Sequence, residues 1–320
     1  RSCRLHHCGS GPIFAGIPLP RVVVDSRPRS AKYILEIFAG TAVFTKSCIQ
    51  KQFNTLPAID NLFGAHMDLR RRSTQLVVKR ALELGLIWYV HIGTPCTVFS
   101  CARHGIRNHT RARQNEAVGA ELAFFSAEIC LLCHQCGIFW SIENPRSSRL
   151  WIFPPIFALS ILAGVFVVNF PTCAYGAPHK KNTSIMTNMK VLTSLAARCH
   201  HVKHDVVLVG SVKTFDTDGG PAHVSATKLA GEYPDRLCRA WCRALKRVCP
   251  SSGRSSSVTG DDGELFLEKL KAARRPAAAS RDDRSELLQI EASDPHVKTF
   301  EALAPHFLDS ITFGQHTRTE

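Results

Sequence analysis

The sequence predicts one α/β domain built on a mainly parallel sheet with helices on both faces. Three observations predict it. Apolar runs of strand length alternate with helix-length segments from Tyr33 onward. Small-residue, acidic or proline turns close those runs. The 320 residues, 45% of them hydrophobic, suffice for one full-sized core plus extensions. The same composition excludes collagen, coiled coil and wholesale disorder.

Residues 1–30 read as a flexible arm, with one short apolar run at Arg21–Val24. Its Cys3, His6, His7 and Cys8 are packed too closely along the chain to surround one tetrahedral ion easily. The domain is expected over 31–250. It opens with the strand YILEIF, the turn AGTA and a helical VFTKSCIQKQF; a second strand, TLPAID, ends on Asp60. A helix around Ser73–Leu84 leads to a third strand, LIWYVHIG, which delivers Thr94-Pro95-Cys96. A long helix near Asn115–Cys136 and a strand GIFWSI ending at Glu143 follow. Apolar runs at Gly164–Phe170 and Asp205–Val209 bring the expected strands to at least six. The polar segment Ser251–Gly263 is a linker, and residues up to 320 form a partly disordered tail with short helices at most.

In such a sheet ligands bind outside the carboxyl ends of the strands, which puts AGTA, Asp60, Thr94–Cys96 and Glu143–Pro145 along one rim. The longest uncharged run, Trp151 to Pro178, is broken by Pro154, Pro155, Gly164, Asn169 and Pro171. A short helix and a strand are expected there rather than a membrane span, and no membrane partner is expected. Arg1 rather than methionine opens the chain, which fits a fragment or a product lacking its true start, and no signal peptide is read. Thirteen scattered cysteines then suggest reduced thiols.

The net charge is +14, and the basic excess belongs to residues 1–250, because 251–320 hold 9 Lys/Arg against 12 Asp/Glu. A polyanionic partner fits that excess. Arg103, Arg107, Arg111 and Arg113, with His104 and His109, follow Cys96 closely and could meet a phosphate backbone; a solvated basic loop is the alternative. Lys180 and Lys181 form a second basic point.

The turn after Ile37 suits a nucleotide-like cofactor, because Gly40 and its small neighbours let the backbone approach a ligand. The fingerprint G-x-G-x-x-G is absent, which disfavours a nicotinamide cofactor. Asp60 is suited to accept hydrogen bonds from ribose hydroxyls. Cys96, stiffened by Pro95, can act as a thiolate nucleophile at the rim; a buried structural cysteine is the alternative. Glu143 could engage a ring nitrogen while the cysteine adds to the ring, or could mark an ordinary turn. Cys130, Cys133 and Cys136 share one side of a helix and read as an apolar stripe. Cys173, Cys199, His201 and His204 make a recognised zinc set, against which stands the 25-residue gap between the cysteines, so no metal is assigned.

The blocks LEIFAGTAVFT, Asp60, GTPCTVFS and IENP, in this order and spacing, resemble those of DNA cytosine carbon-5 methyltransferases. The resemblance covers residues 33 to about 150 and continues weakly to Leu245. GTPCTVFSCAR, SIENPRSSRLW, CAYGAPHKKNTSIMTN and CHHVKH are similar to methyltransferase-like proteins of retroelement-rich genomes. It implies a Rossmann-like S-adenosylmethionine-dependent fold. Phe38, Ala39, Gly40 and Pro95 would serve the cofactor site, Asp60 would hold the ribose and Asp68 the adenine. Cys96 would add to carbon 6 of cytosine, and Glu143 would engage ring nitrogen 3. The implied partner is nucleic acid, DNA before RNA, and the implied location is the nucleus. Ala42-Val43 replaces two glycines of the family pattern, Thr94 a proline, Thr97 a glutamine and Pro145 a valine, and no Gln-x-Arg-x-Arg block follows. These departures leave room for a degenerate nucleic-acid-binding module of a mobile element, or for RNA or another acceptor.

Overall fold

The computed structural model describes residues 32–100, 109–215 and 220–250, and positions 266, 268, 269 and 271, all within the compact unit Arg1–Ala273. In chain order the elements are β1 (Tyr33–Ile37), α1 (Val43–Gln50), α2 (Arg72–Glu83), β2 (Ile87–Ile92), α3 (His109–Gln135) and β3 (Phe139–Pro145). Then come α4 (Pro154–Ser160), β4 (Phe166–Pro171), β5 (Asn182–Thr187), β6 (Ser211–Phe215), β7 (Pro221–Ser225), α5 (Ala226–Leu229) and α6 (Asp235–Lys246).

The main sheet has the order β1-β2-β3-β5-β4. β1, β2 and β3 pair in parallel, while β5 runs antiparallel to both β3 and β4. β4 therefore points the same way as the first three strands. This is the α/β architecture with helices on both faces that the sequence led us to expect, its sheet made mixed by β5.

Alternation along each strand sorts the core into two layers. Leu35, Ile37, Val90, Ile92, Trp140 and Ile142 face the layer that includes residues of α2, α3 and α4. Ile34, Tyr89, Val168, Phe170 and Ile185 face the layer that includes residues of α1 and α6. Helices thus cover both faces. Lys79 of α2 and Glu128 of α3 form an ion pair. Pro154 and Pro155 open α4, where proline's missing N–H costs nothing. Asp235 in the first turn of α6, with Arg243 and Lys246 in its last, complements the helix dipole. Among the described residues one helix segment, Arg113–Gln135, is long and apolar enough to cross a membrane; half of its most apolar stretch is buried inside the protein.

Two expectations need correction. TLPAID touches β1 only through parallel bridges at Thr55 and Ile59 and forms no full strand. Asp205–Val209 is not a strand; Val207 and Val209 are 71% and 79% exposed, so this apolar run lacks the burial that would recruit it to the sheet. The segment NTSIMT, not read as a strand from the sequence, supplies β5 instead. Beyond the sheet, β6 and β7 make a separate antiparallel pair. Phe266, past the Ser251–Gly263 segment, is 3% exposed and belongs to the core.

Candidate active site

The parallel strands all deliver their carboxyl ends to one rim. After β1 the chain turns through three left-handed residues, Phe38 (φ 56°), Gly40 (φ 52°) and Ala42 (φ 55°). Only glycine adopts this region without strain, so two of the three are held by their surroundings. Asp60 is one such restraint: its Oδ2 accepts the Gly40 N–H at 2.9 Å, and its Oδ1 the Leu62 N–H at 3.0 Å. Glu36 is another, a buried carboxylate in β1 that accepts the Thr45 N–H at 2.8 Å and so caps the first turn of α1. Burial, above all, pushes the Glu36 carboxyl up to about 7. Space over Gly40 is open, and Leu62 and Phe63, just after Asp60, are 69% and 42% exposed. The loop thus joins an acidic acceptor to unpartnered apolar surface. Asp68 is gripped by Arg70, whose Nη2 lies 2.6 Å from Oδ2; that hydrogen bond holds the carboxyl below its ordinary value.

β2 continues through Gly93, where an added Cβ would sit 2.7 Å from the Phe38 carbonyl oxygen, into Thr94-Pro95-Cys96. Asn144 Nδ2 donates to the Thr94 carbonyl at 2.7 Å, and Thr94 Oγ1 to Ser126 of α3 at 2.8 Å, so β3 and α3 both fix the turn. Cys96 is half-buried. Burial raises its thiol, Lys181 lowers it and Glu143 raises it again. Glu143, 7% exposed, meets Lys181 Nζ at 3.6 Å, and its Oε2 accepts the Tyr233 hydroxyl at 3.3 Å. Its Oε1, the oxygen that faces Lys181 Nζ, and the neighbouring Asn144 Oδ1 have no hydrogen-bond partner among the described residues. Buried acceptors in this state are rare.

Behind Glu143 lies a hydrogen-bond chain whose polarity can be deduced. Trp241 Nε1 can only donate and a carboxylate can only accept, so every link between them is fixed. Trp241 donates to Tyr89 (3.0 Å), Tyr89 to Ser141 (2.6 Å), Ser141 to His91 Nδ1 (2.9 Å), His91 Nε2 to Tyr233 (3.0 Å), and Tyr233 to Glu143. Complete burial drives the His91 imidazole down to about 3, so it is neutral, as this chain requires. Burial, then the charge of Glu143, pushes the Tyr233 hydroxyl up, keeping its proton. His91 and Ser141 are register partners in adjacent strands. Sequence reading missed Glu36, His91 and Tyr233; only the isolated charge of Glu36 within an apolar strand could have signalled one of them.

Of the candidate backbone-binding arginines, Arg103 and Arg107 lie outside the described residues, as does the side chain of Arg111, while Arg113 is exposed. Cys3, His6, His7 and Cys8 also lie outside them. Cys130 and Cys133 are fully buried, and Cys136 is partly buried against the same core. Cys173, Cys199, His201 and His204 are brought together, despite the sequence gap, with all four ligand atoms within 4.8 Å of one another. A surface groove of about 480 Å³ is lined by Tyr175, Pro178, His179, Tyr233 and Arg236 among others, and neither Cys96 nor the Phe38–Gly40 loop reaches it.

No protein-family model matches the chain, and no curated protein matches it. Solved structures with partial similarity include a protein named as a DNA modification methyltransferase encoded within a prophage (E. coli), with TM-score 0.34, 13% identity and coverage of 49% of this chain and 46% of that one. Entamoeba histolytica methyltransferase EhMeth gives TM-score 0.28, 11% identity and coverage of 49% and 52%. S. pombe Dnmt2 methyltransferase gives TM-score 0.32, 10% identity and coverage of 49% and 50%. The chain spans about half the length of each of these proteins.

Proposed function

We propose that this domain is an S-adenosylmethionine-dependent methyltransferase acting on nucleic acid, with cytosine carbon 5 of DNA as acceptor and Cys96 as covalent nucleophile. The observation that carries the reading is the pairing of Cys96 with Glu143 at the ends of adjacent strands, where Glu143 is oriented by Tyr233 and Lys181 and keeps Oε1 without a hydrogen-bond partner. Burial holds the Cys96 thiol above its ordinary value, and Lys181 is the charge that works against this in favour of the thiolate. The thiolate forms a bond to carbon 6, and the displaced electron pair moves to carbon 5. Glu143, carrying a proton on Oε1, hands it to ring nitrogen 3, which draws electron density from the ring as sulfur attacks. After methylation, water takes the carbon-5 proton, and the freed electron pair re-forms the 5–6 double bond as it expels the thiolate and restores Cys96. A base inside a duplex must leave the stack to reach this pair.

The residues of the first turn fit the cofactor. Asp60 keeps a lone pair on each oxygen for ribose hydroxyls, the space over Gly40 admits the ligand backbone, and Leu62 and Phe63 offer apolar cover for a base. S-adenosylmethionine supplies an electrophilic methyl group there when bound.

The decisive experiment offers the full chain an oligonucleotide with fluorine in place of the carbon-5 hydrogen, together with S-adenosylmethionine. An adduct on Cys96 cannot eliminate and should survive denaturing electrophoresis; Cys96→Ser should abolish it and slow methyl transfer at least about a thousandfold. Transfer that withstands Cys96→Ser would move the acceptor away from cytosine carbon 5. A folded chain that shows no calorimetric binding of S-adenosylhomocysteine would overturn the methyltransferase reading.

A further inference from the structure

The segment from Ala196 to Gly210 has no regular secondary structure, apart from one bridge between Val206 and His179. Its main-chain hydrogen bonds cluster at its ends, with Ala196 N–H to Thr193, Ala197 N–H to Asn169 and Ala226 N–H to the Gly210 carbonyl, and within it Val206 N–H donates to Pro178. Such a loop inside a compact domain needs a further restraint. It nonetheless turns one thiol and two imidazoles toward a single point, where they meet the thiol of Cys173 from the turn after β4. Cys199 Sγ is 3.5 Å from His201 Nδ1 and 3.3 Å from His204 Nε2, and no ligand atom is more than 4.8 Å from another. A tetrahedral zinc site with Zn–S near 2.3 Å and Zn–N near 2.0 Å has edges of roughly 3.3–3.8 Å.

We propose that Cys173, Cys199, His201 and His204 bind one zinc ion as a structural site. Two thiolates and two imidazoles select zinc over magnesium or calcium, and four protein ligands leave no position for a reacting water. The ion joins Cys173 on the β4–β5 connection to the 199–204 loop. The same connection runs on to His179, which bridges Val206, and to Lys181, which faces Glu143. Zinc therefore acts as a clamp that holds the Lys181 segment against the sheet. The proposal stands independently of the transfer chemistry.

The test is metal analysis of the full chain purified without chelator, followed by replacement with Co²⁺. One zinc per chain is expected, lost in Cys199→Ala and in His204→Ala and kept in Cys249→Ser, a thiol outside the cluster. The cobalt form should absorb as a tetrahedral complex with thiolate-to-metal charge transfer. Should the variants fail to fold, the wild-type spectrum decides alone. A cooperatively folded chain without metal that gives only the pale spectrum of octahedral cobalt would overturn the proposal. So would zinc retained by Cys199→Ala, or a thiol titration showing Cys173 and Cys199 joined as a disulfide.

Discussion

Glu36 illustrates how one side chain sets conditions for a site it never touches. Its carboxyl titrates near 7 in the folded chain, against 4.5 for an exposed group. A raised carboxyl favours the native state fully below pH 4.5, and that advantage is lost as pH rises through 7. Glu36→Gln retains an oxygen for Thr45 and removes the titration. The variant should therefore gain up to about 3 kcal/mol on wild type between pH 4 and pH 8, read from urea unfolding at both values; a constant difference would refute the assignment. Tyr233→Phe keeps the ring against His91 and Trp241 but strands the His91 N–H and strips Glu143 of its donor. A loss of about 1–3 kcal/mol in stability is expected, measurable by denaturant titration. Cys96 and Glu143 were legible because each follows an apolar run at a rim. His91 and Tyr233 were not, since 142 positions separate them and only the packing of α6 on the sheet makes them neighbours.

At the scale of elements, the turn after Cys96 and helix α3 meet at one glycine. A Cβ at Gly119 would lie 2.1 Å from Val98 Cγ2, far inside any tolerable contact. Gly119→Ala should cost about 1–3 kcal/mol through overpacking, and Val98→Ala in the same chain should recover most of it. Thermal unfolding of the two single variants and the double checks this, and additive losses would show that the contact is unimportant. The strands that sequence reading located are those whose side chains are apolar on both faces, such as β2. β5 escaped notice because Asn182, Thr183 and Ser184 are polar; a strand paired on both sides satisfies its backbone without an apolar sequence. The opposite error arose at 205–209, where apolar residues stay in solvent.

For the molecule as a whole, the excess of Lys/Arg over Asp/Glu predicts how it meets a polyanion. If nucleic acid is the partner, log K should fall linearly with log salt, by about 0.9 for each phosphate contacted on duplex DNA. Replacing Arg103, Arg107, Arg111 and Arg113 together by glutamine should reduce that slope by up to about 3–4 without changing the melting curve. An unchanged slope in fluorescence anisotropy titrations would assign these arginines to solvent. The sheet's one reversed strand also matters at this scale. It brings the start of β5 to the rim where the other strands end, and so places Lys181 opposite Glu143.

The fixed polarity of the chain from Trp241 to Glu143 has a consequence for proton traffic. Passing a proton inward from Glu143 would require every hydroxyl and the imidazole to reverse, ending on an indole N–H that cannot accept one. The interior is a dead end for protons, although its dipoles all stabilise the carboxylate. Any proton that Glu143 gains or gives must cross its Oε1 side, and a bound base would then control the exchange.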